Sequence, residues 1–209
     1  MITILQGVRP GESQLLDEAM RLRHQVFVGE KGWKALTKAD GRETDQFDTP
    51  ATVHQIAVVD NRVAGYQRLN PTLGPHILSE VHSHICKKDY DPAPDVWEWS
   101  RYCVAPKFRE KHTYCDVGST LLIAALEWAE TNGVTRFVLE FHPVWITRFL
   151  QLGFQVDPLG LPTEFDGELS VPAQLSFGEK TLLKMRNARG IVEPVLGVQP
   201  SHVPTALAS

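Results

Sequence analysis

Residues 96–104 read VWEWSRYCV, residues 105–115 read APKFREKHTYC, and residues 116–130 read DVGSTLLIAALEWAE. The first segment is rich in aromatic and β-branched residues and predicts a strand. The third is apolar over four turns, starts at Asp116 as its expected cap, and stops at Asn132-Gly133, the signature of a buried helix. A strand, a basic loop and the N-terminus of an apolar helix therefore follow one another. Free N–H groups at a helix start attract phosphate, and Lys107, Arg109 and Lys111 add positive charge beside them. A phosphopantetheine arm or a pyrophosphate fits such a loop, with a solvated connection as the competing reading. The loop lacks the glycines of a nucleotide-binding fingerprint, which counts against an ATPase or a dehydrogenase.

Working outward, TRFVLEF (135–141) and FQV (154–156) predict strands around a helix that Pro143 opens and Gly153 closes. AQLSF and EKTLLKMR predict a final strand and helix. Upstream, Leu15, Ala19, Leu22 and Val26 recur at steps of three and four, so a helix runs from Ser13, its expected N-cap, to Val28. His54–Val59 and Val63–Leu69 flank Asp60-Asn61-Arg62 and predict a β-hairpin. A short helix is expected near Ile77–Ile85. Lys31 to Pro50 shows neither period; a loop this long in a compact domain usually binds something. Strands alternating with helices predict an α/β architecture, a mixed sheet with helices on both faces.

The chain has 209 residues, 21 Lys+Arg against 25 Asp+Glu, and a net charge of -4. Such a chain buries enough surface to fold without disulfides or a structural metal. The acidic balance argues against nucleic acid as partner. Three cysteines without a CxxC spacing fit free thiols in a reducing cytosol. The opening MITILQ is too short for a signal peptide or anchor, and no run approaches a membrane span. One domain over residues 1–189, a flexible tail over 190–209, and a cytoplasmic location are the resulting expectations.

Glu98, Ser100 and Tyr102 should share one face of their strand, and Trp97, Trp99 and Arg101 the other. An acid and a guanidinium inside an aromatic strand are costly to bury unless each finds a partner or a substrate. A structural ion pair of Glu98 with Arg68 is the plainer alternative. If Glu98 and Arg101 serve one cleft, their odd spacing requires a β-bulge between them. Glu43, Asp45 and Asp48 add three carboxylates within six positions of the long loop, where a hydrophilic turn is the ordinary reading. His82, His84 and Cys86, and His112 with Cys115, match no zinc pattern, so no metal is expected.

Five separated motifs carry a resemblance. RHQVF (23–27), Gly32-Trp33, the Glu43, Asp45, Phe47, Asp48 set, Arg68-Leu69 with Pro71-Thr72, and Trp97-Glu98 with Ser100-Arg101 resemble, in order and at compatible spacings, the LuxI-type acyl-homoserine-lactone synthases. The resemblance spans about residues 1–165. It implies the GCN5-like N-acyltransferase fold and an N-acyl-homoserine lactone made from S-adenosylmethionine and an acyl thioester. Both are substrates, and no true cofactor is implied. Amide formation would be followed by lactonisation, releasing methylthioadenosine, and a separate receptor-regulator would read the product. The implied S-adenosylmethionine residues are Arg23, Phe27, Trp33, Asp45, Asp48, Arg68, Arg101 and Tyr102, and the implied catalytic residues are Glu98, Arg101 and Ser100. Val104, Lys107, Arg109, Phe141 and Trp145 would hold the pantetheine and acyl group. Glu140-Phe141-His142-Pro143 and Trp145 replace a Val-Thr pair associated with 3-oxo chains, and point to short branched or aryl acyl-coenzyme A in preference to long chains on acyl carrier protein. The competing readings are an N-acyltransferase acting on another amine and a catalytically silent relative.

Overall fold

The hairpin around Asp60-Asn61 forms where expected, because both residues take left-handed backbone (φ 49° and 58°), the geometry of tight hairpin turns. The computed structural model describes residues 2–7, 14–109, 115–165 and 167–196. In it, β2 (Val53–Val59) and β3 (Arg62–Pro71) are joined by β1 (Ile2–Gln6), β4 (Val96–Val104), β5 (Arg136–Phe141), β6 (Gln155–Pro158), β7 (Thr163–Phe165) and β8 (Glu168–Ser176) in a single sheet. The order is β1-β2-β3-β4-β5-β8-β6, with β7 also pairing β8, and all pairings are antiparallel except β4 with β5. Strand β1 was not anticipated: ITILQ is short, and only its pairing with β2 identifies it.

Helices cover both faces. Helix α1 (Gln14–Arg23) lays Leu16, Ala19, Met20 and Leu22 on Ile56, Val58 and Tyr66. On the other face lie α3 (Asp116–Thr131), α4 (Val144–Leu152) and α5 (Glu179–Arg189). Helix α3 is buried from Val117 to Ala129. Sheet and helix approach so closely that a Cβ on Gly65 would stand 2.9 Å from the Leu121 side chain. A polar seam crosses this core, where Gln67 Nε2 donates to the Leu121 carbonyl at 2.7 Å and Gln55 Nε2 to that of Ala124 at 3.2 Å. With partners for both, burial of these amides is not penalised.

Several boundaries move. The first helix changes at His24 into a wider π-type turn over His24–Glu30. The expected helix near residue 77 divides into α2 (Ile77–Glu80) and a 3-10 turn at Ser83–Ile85. The cap of α3 is Cys115, whose Sγ accepts the Gly118 N–H at 3.3 Å, so Asp116 is already inside the helix. Ser13, Lys111 and His112 lie outside the described residues. The tail begins ordered: Glu127 accepts the N–H groups of Val195 and Leu196 at 2.9–3.0 Å, and Leu196 bridges to Ile4. Residues 197–209 lie outside the description.

The interruption that positions the site is between β4 and β5. They pair only at Val96–Glu98 with Arg136–Val138. Beyond, Trp99–Val104 bonds β3 alone and Leu139–Phe141 bonds β8 alone. The two strands splay, leaving a cleft in the middle of the sheet.

Candidate active site in the split sheet

The required irregularity is present in β4. Arg68 pairs with Ser100 and Tyr66 with Cys103, so two residues of β4 oppose one of β3. Arg101, one of the two, has a left-handed φ of 55°. The bulge reverses the alternation after Ser100. Arg101 turns to the face of Glu98, while Tyr102 crosses to that of Trp99, standing edge-on to its ring at 6.2 Å, with its hydroxyl against Gly118. Tyr102 therefore does not join the arginine and carboxylate cluster with which it was grouped from sequence. The same bulge that brought Arg101 in turned Tyr102 out.

That cluster balances three guanidiniums, Arg23, Arg68 and Arg101, with three carboxylates, Glu43, Asp45 and Asp48. Arg23 bonds Glu43 through Nε at 2.5 Å and grips Asp48 with both terminal nitrogens at 2.8 and 3.1 Å. Arg68 reaches Asp45 at 2.6 Å, Asp48 at 3.0 Å and the Ser100 hydroxyl at 3.1 Å. Arg101 donates to Asp45 at 2.9 Å and to Glu43 at 3.2 Å. The long loop is thereby tied to α1, β3 and β4. Burial alone would raise the Asp48 carboxyl, but Arg23 and Arg68 outweigh it and hold Asp48 well below the usual carboxylate range. Arg23 and Arg68 are wholly buried, so they underlie the site and do not line its opening.

Above them Phe27 and Trp33 stack with centroids 5.2 Å apart, and the Arg101 guanidinium sits over Phe27 at 5.6 Å. Phe27 is buried, while Trp33 is partly exposed and carries the Lys31 ammonium over its ring at 5.4 Å, an aromatic surface suited to a cation or a flat ring.

Glu98 forms no ion pair with Arg68, whose partners are Asp45, Asp48 and Ser100. The Leu78 N–H donates to its Oε1 at 3.2 Å, and its Oε2 is buried without a partner, as is Nη2 of Arg68. Burial pushes the Glu98 carboxyl up, against the pull of Arg68, His76 and the α2 N–H groups. A buried acceptor lacking a donor, at the last paired position before β4 and β5 part, is what a reacting N–H would fill.

On the far face, Phe141 and Trp145 gather on Phe149, at 5.1 and 6.0 Å, beside the β5 margin of the cleft. Val104 is buried among Val117 and Leu121. Lys107 and Arg109 are exposed, Lys107 over the Phe108 ring at 5.6 Å, while Arg109 bonds the Val104 carbonyl at 2.7 Å and Glu30 at 2.6 Å. Arg109 thus already has partners.

Sequence reading missed three groups here. Glu43 drew notice only as one of three loop acids, yet it joins Arg23 to Arg101. Buried His54 faces the Tyr66 hydroxyl at 2.6 Å, and burial drops its pKa to about 4. His82 meets Glu140 at 2.7 Å and stacks on Phe165 at 4.8 Å. Its partner is 58 positions away, so no local pattern signals the pair. Among the described residues, no helix is long and apolar enough to cross a membrane.

Comparison with known proteins agrees with this geometry. Residues 10–177 match the family described as "Autoinducer synthase". An isovaleryl-homoserine lactone synthase of Bradyrhizobium diazoefficiens is 35% identical over 169 residues, 80% of this chain and 75% of that protein. A solved CoA-dependent acyl-homoserine lactone synthase, BjaI, with SAM and isopentyl-CoA superposes at TM-score 0.86, with 31% identity over 97% of this chain and 95% of that one. A putative N-acetyltransferase from Lactobacillus plantarum shares the fold at TM-score 0.54 and 23% identity, over 84% of this chain and 99% of that one. With its split acyltransferase sheet and its matched span, the chain belongs to the autoinducer synthase family and is an acyltransferase of the acyl-homoserine-lactone synthase kind.

Proposed function

We propose that this enzyme condenses S-adenosylmethionine with an acyl-coenzyme A to form an N-acyl-L-homoserine lactone, releasing coenzyme A and methylthioadenosine. The observation that carries the reading is the bulge at Arg101, which gathers Arg101, Asp45 and the Phe27–Trp33 stack on the face where Glu98 keeps an unpartnered oxygen. S-adenosylmethionine presents a sulfonium, an ammonium and a carboxylate. The Phe27–Trp33 stack suits the sulfonium and adenine, Asp45 the ammonium, and Arg101 the carboxylate. Arg23, Asp48 and Arg68 hold the loop beneath them.

The thioester enters the gap between β4 and β5, with Lys107 and Arg109 near the α3 N-terminus drawing the coenzyme phosphates. Ser100 helps to orient the reacting groups through its bond to Arg68. Glu98 takes the proton of the amine, directly or through water. The neutral nitrogen attacks the thioester carbon, N–H groups of the Arg101–Val104 backbone steady the oxyanion, and collapse breaks the C–S bond. The product's own carboxylate then attacks its γ-carbon and expels methylthioadenosine, aided by proximity.

Phe141 and Trp145 fill the acyl side with bulk, which favours short branched or aryl groups over long chains on acyl carrier protein. The relatives that use isovaleryl and isopentyl groups support this choice. Purified enzyme is to be given S-adenosylmethionine with isovaleryl-CoA, an aryl-CoA, or octanoyl carrier protein, following lactone and methylthioadenosine together. Equimolar release of both from a CoA substrate is expected. Acylation without methylthioadenosine sinks the lactone reading, and a preference for octanoyl carrier protein sinks the short-pocket reading.

A further inference from the structure

We infer that His82, oriented by Glu140, is the group through which buried Glu98 returns its proton to solvent. The inference rests on the proposed role of Glu98. That carboxyl is 1% exposed, so a proton taken from the amine has no direct way to bulk water, and each turnover must clear it. Glu98 pairs with Val138 of β5, so Glu140, two residues further along that strand, lies on the same face of the sheet and holds His82 there; Arg68, His76 and Tyr90 are further titratable or charged groups around Glu98. Arg68 does not deprotonate. His76 is buried, with Nδ1 on the Gly74 carbonyl and Nε2 on the Tyr90 hydroxyl. Both of its nitrogens and the Tyr90 hydroxyl are thereby engaged.

His82 differs. Its Nδ1 lies 2.7 and 2.8 Å from the two Glu140 oxygens, its ring is clamped parallel to Phe165, and His84 stands edge-on at 6.2 Å. Its Nε2 makes no hydrogen bond among the described residues and is open to water. Glu140 fixes the tautomer with Nδ1 protonated, leaving the Nε2 lone pair as acceptor. The charges acting on the ring are Glu140 on β5 and Glu98 and Arg101 on β4; the His84 ring on its own segment and Phe165 on β7 pack against it. The bond to Glu140 raises its pKa, against partial burial and Arg101.

The accounting is simple. One proton of the S-adenosylmethionine ammonium goes to Glu98 Oε2, crosses on water to His82 Nε2, and passes to solvent or buffer; as the N–C bond forms and the C–S electron pair leaves with sulfur, the second N–H proton goes to that thiolate to give coenzyme A. Glu98 is again a carboxylate. His82 touches no reacting atom and is a positioning residue.

The test compares wild type, His82→Gln, Glu140→Gln and Glu98→Gln in dilute zwitterionic buffer, with and without added imidazole, across pH 6 to 9, roughly the range where a histidine titrates. His82→Gln should lose at least about tenfold in kcat with both KM values unchanged, and imidazole should restore it. Glu140→Gln should move the acid limb of kcat to lower pH, because the neutral imidazole is the acceptor and its pKa falls without the carboxylate. Glu98→Gln should be inactive with or without imidazole. Wild-type kcat in His82→Gln beside an inactive Glu98→Gln overturns the proton exit alone, as does a loss that imidazole leaves in place. An active Glu98→Gln overturns the role of Glu98 and this inference with it. Melting temperature and S-adenosylmethionine binding by calorimetry verify that each variant is folded.

Discussion

Arg101 donates to Asp45 at 2.9 Å from a backbone position that regular alternation along β4 would have aimed at the opposite face of the sheet. One extra residue in the strand changes what the arginine is for. Without it Arg101 would lie with Trp97 and Trp99, and Tyr102 with Glu98 and Ser100.

The left-handed φ of Arg101 separates its backbone role from its charge. For a residue with a Cβ that conformation costs roughly 1–2 kcal/mol, a cost glycine avoids. Arg101→Gly should therefore be about 1 kcal/mol more stable than Arg101→Ala, with both variants devoid of lactone synthesis. Thermal melts and product assays decide this. Equal stability would show that the bulge is unstrained.

Asp48 accepts from both terminal nitrogens of Arg23 and from Arg68. Removing one member of a buried ion network leaves an uncompensated charge and costs about 3–5 kcal/mol. Asp48→Asn should destabilise by that order, measured by urea denaturation. The carboxyl is held low in the folded state, so its contribution is whole above the ordinary carboxylate range near 4 and lost as pH falls toward the lowered value. Asp48→Asn should consequently flatten the acid end of the stability profile.

His54 supplies a second pH dependence, nearer neutrality. Its folded pKa is about 4, below the ordinary value of about 6.5, so between these limits the unfolded chain binds the extra proton. Stability is full above the upper limit and declines as pH falls, by an amount on the order of 3 kcal/mol. His54→Gln, which cannot titrate, should lose less over that interval. Parallel declines in the two proteins would remove His54 as the cause.

Trp145 leans on Phe149 and lies beneath Arg148, and in the proposed acyl pocket it forms the α4 side. Trp145→Ala should raise kcat/KM for octanoyl-CoA relative to isovaleryl-CoA by about tenfold, the worth of one or two methylenes in an apolar pocket. An unchanged ratio would move the boundary of the pocket elsewhere.

What the sequence disclosed follows from how local each signal is. Helix α3 and the β2–β3 hairpin announce themselves in consecutive residues, apolar in one and Asp60-Asn61 in the other. The bulge is legible because Glu98 and Arg101 cannot otherwise share a face, whereas the turning-out of Tyr102 depends on where in the strand the extra residue falls. Strand β1 has five residues and little pattern of its own. The joining of Glu43 to Arg101 and of His82 to Glu140 spans 58 positions in each case, and nothing in either neighbourhood encodes the distant one. The docking of Val195 on Glu127 was hidden in a proline-rich tail that lacks periodicity.

Strands β4 and β5 share only three paired positions, so the middle of the sheet is mechanically a hinge with its pin at Val96–Glu98. Levering the halves apart by a few degrees widens the far mouth while barely disturbing Glu98 beside the pivot. Substrate girth can then be met by elastic opening of the backbone, with the reacting atoms kept in register. An occupied enzyme should be stiffer along this line than an empty one.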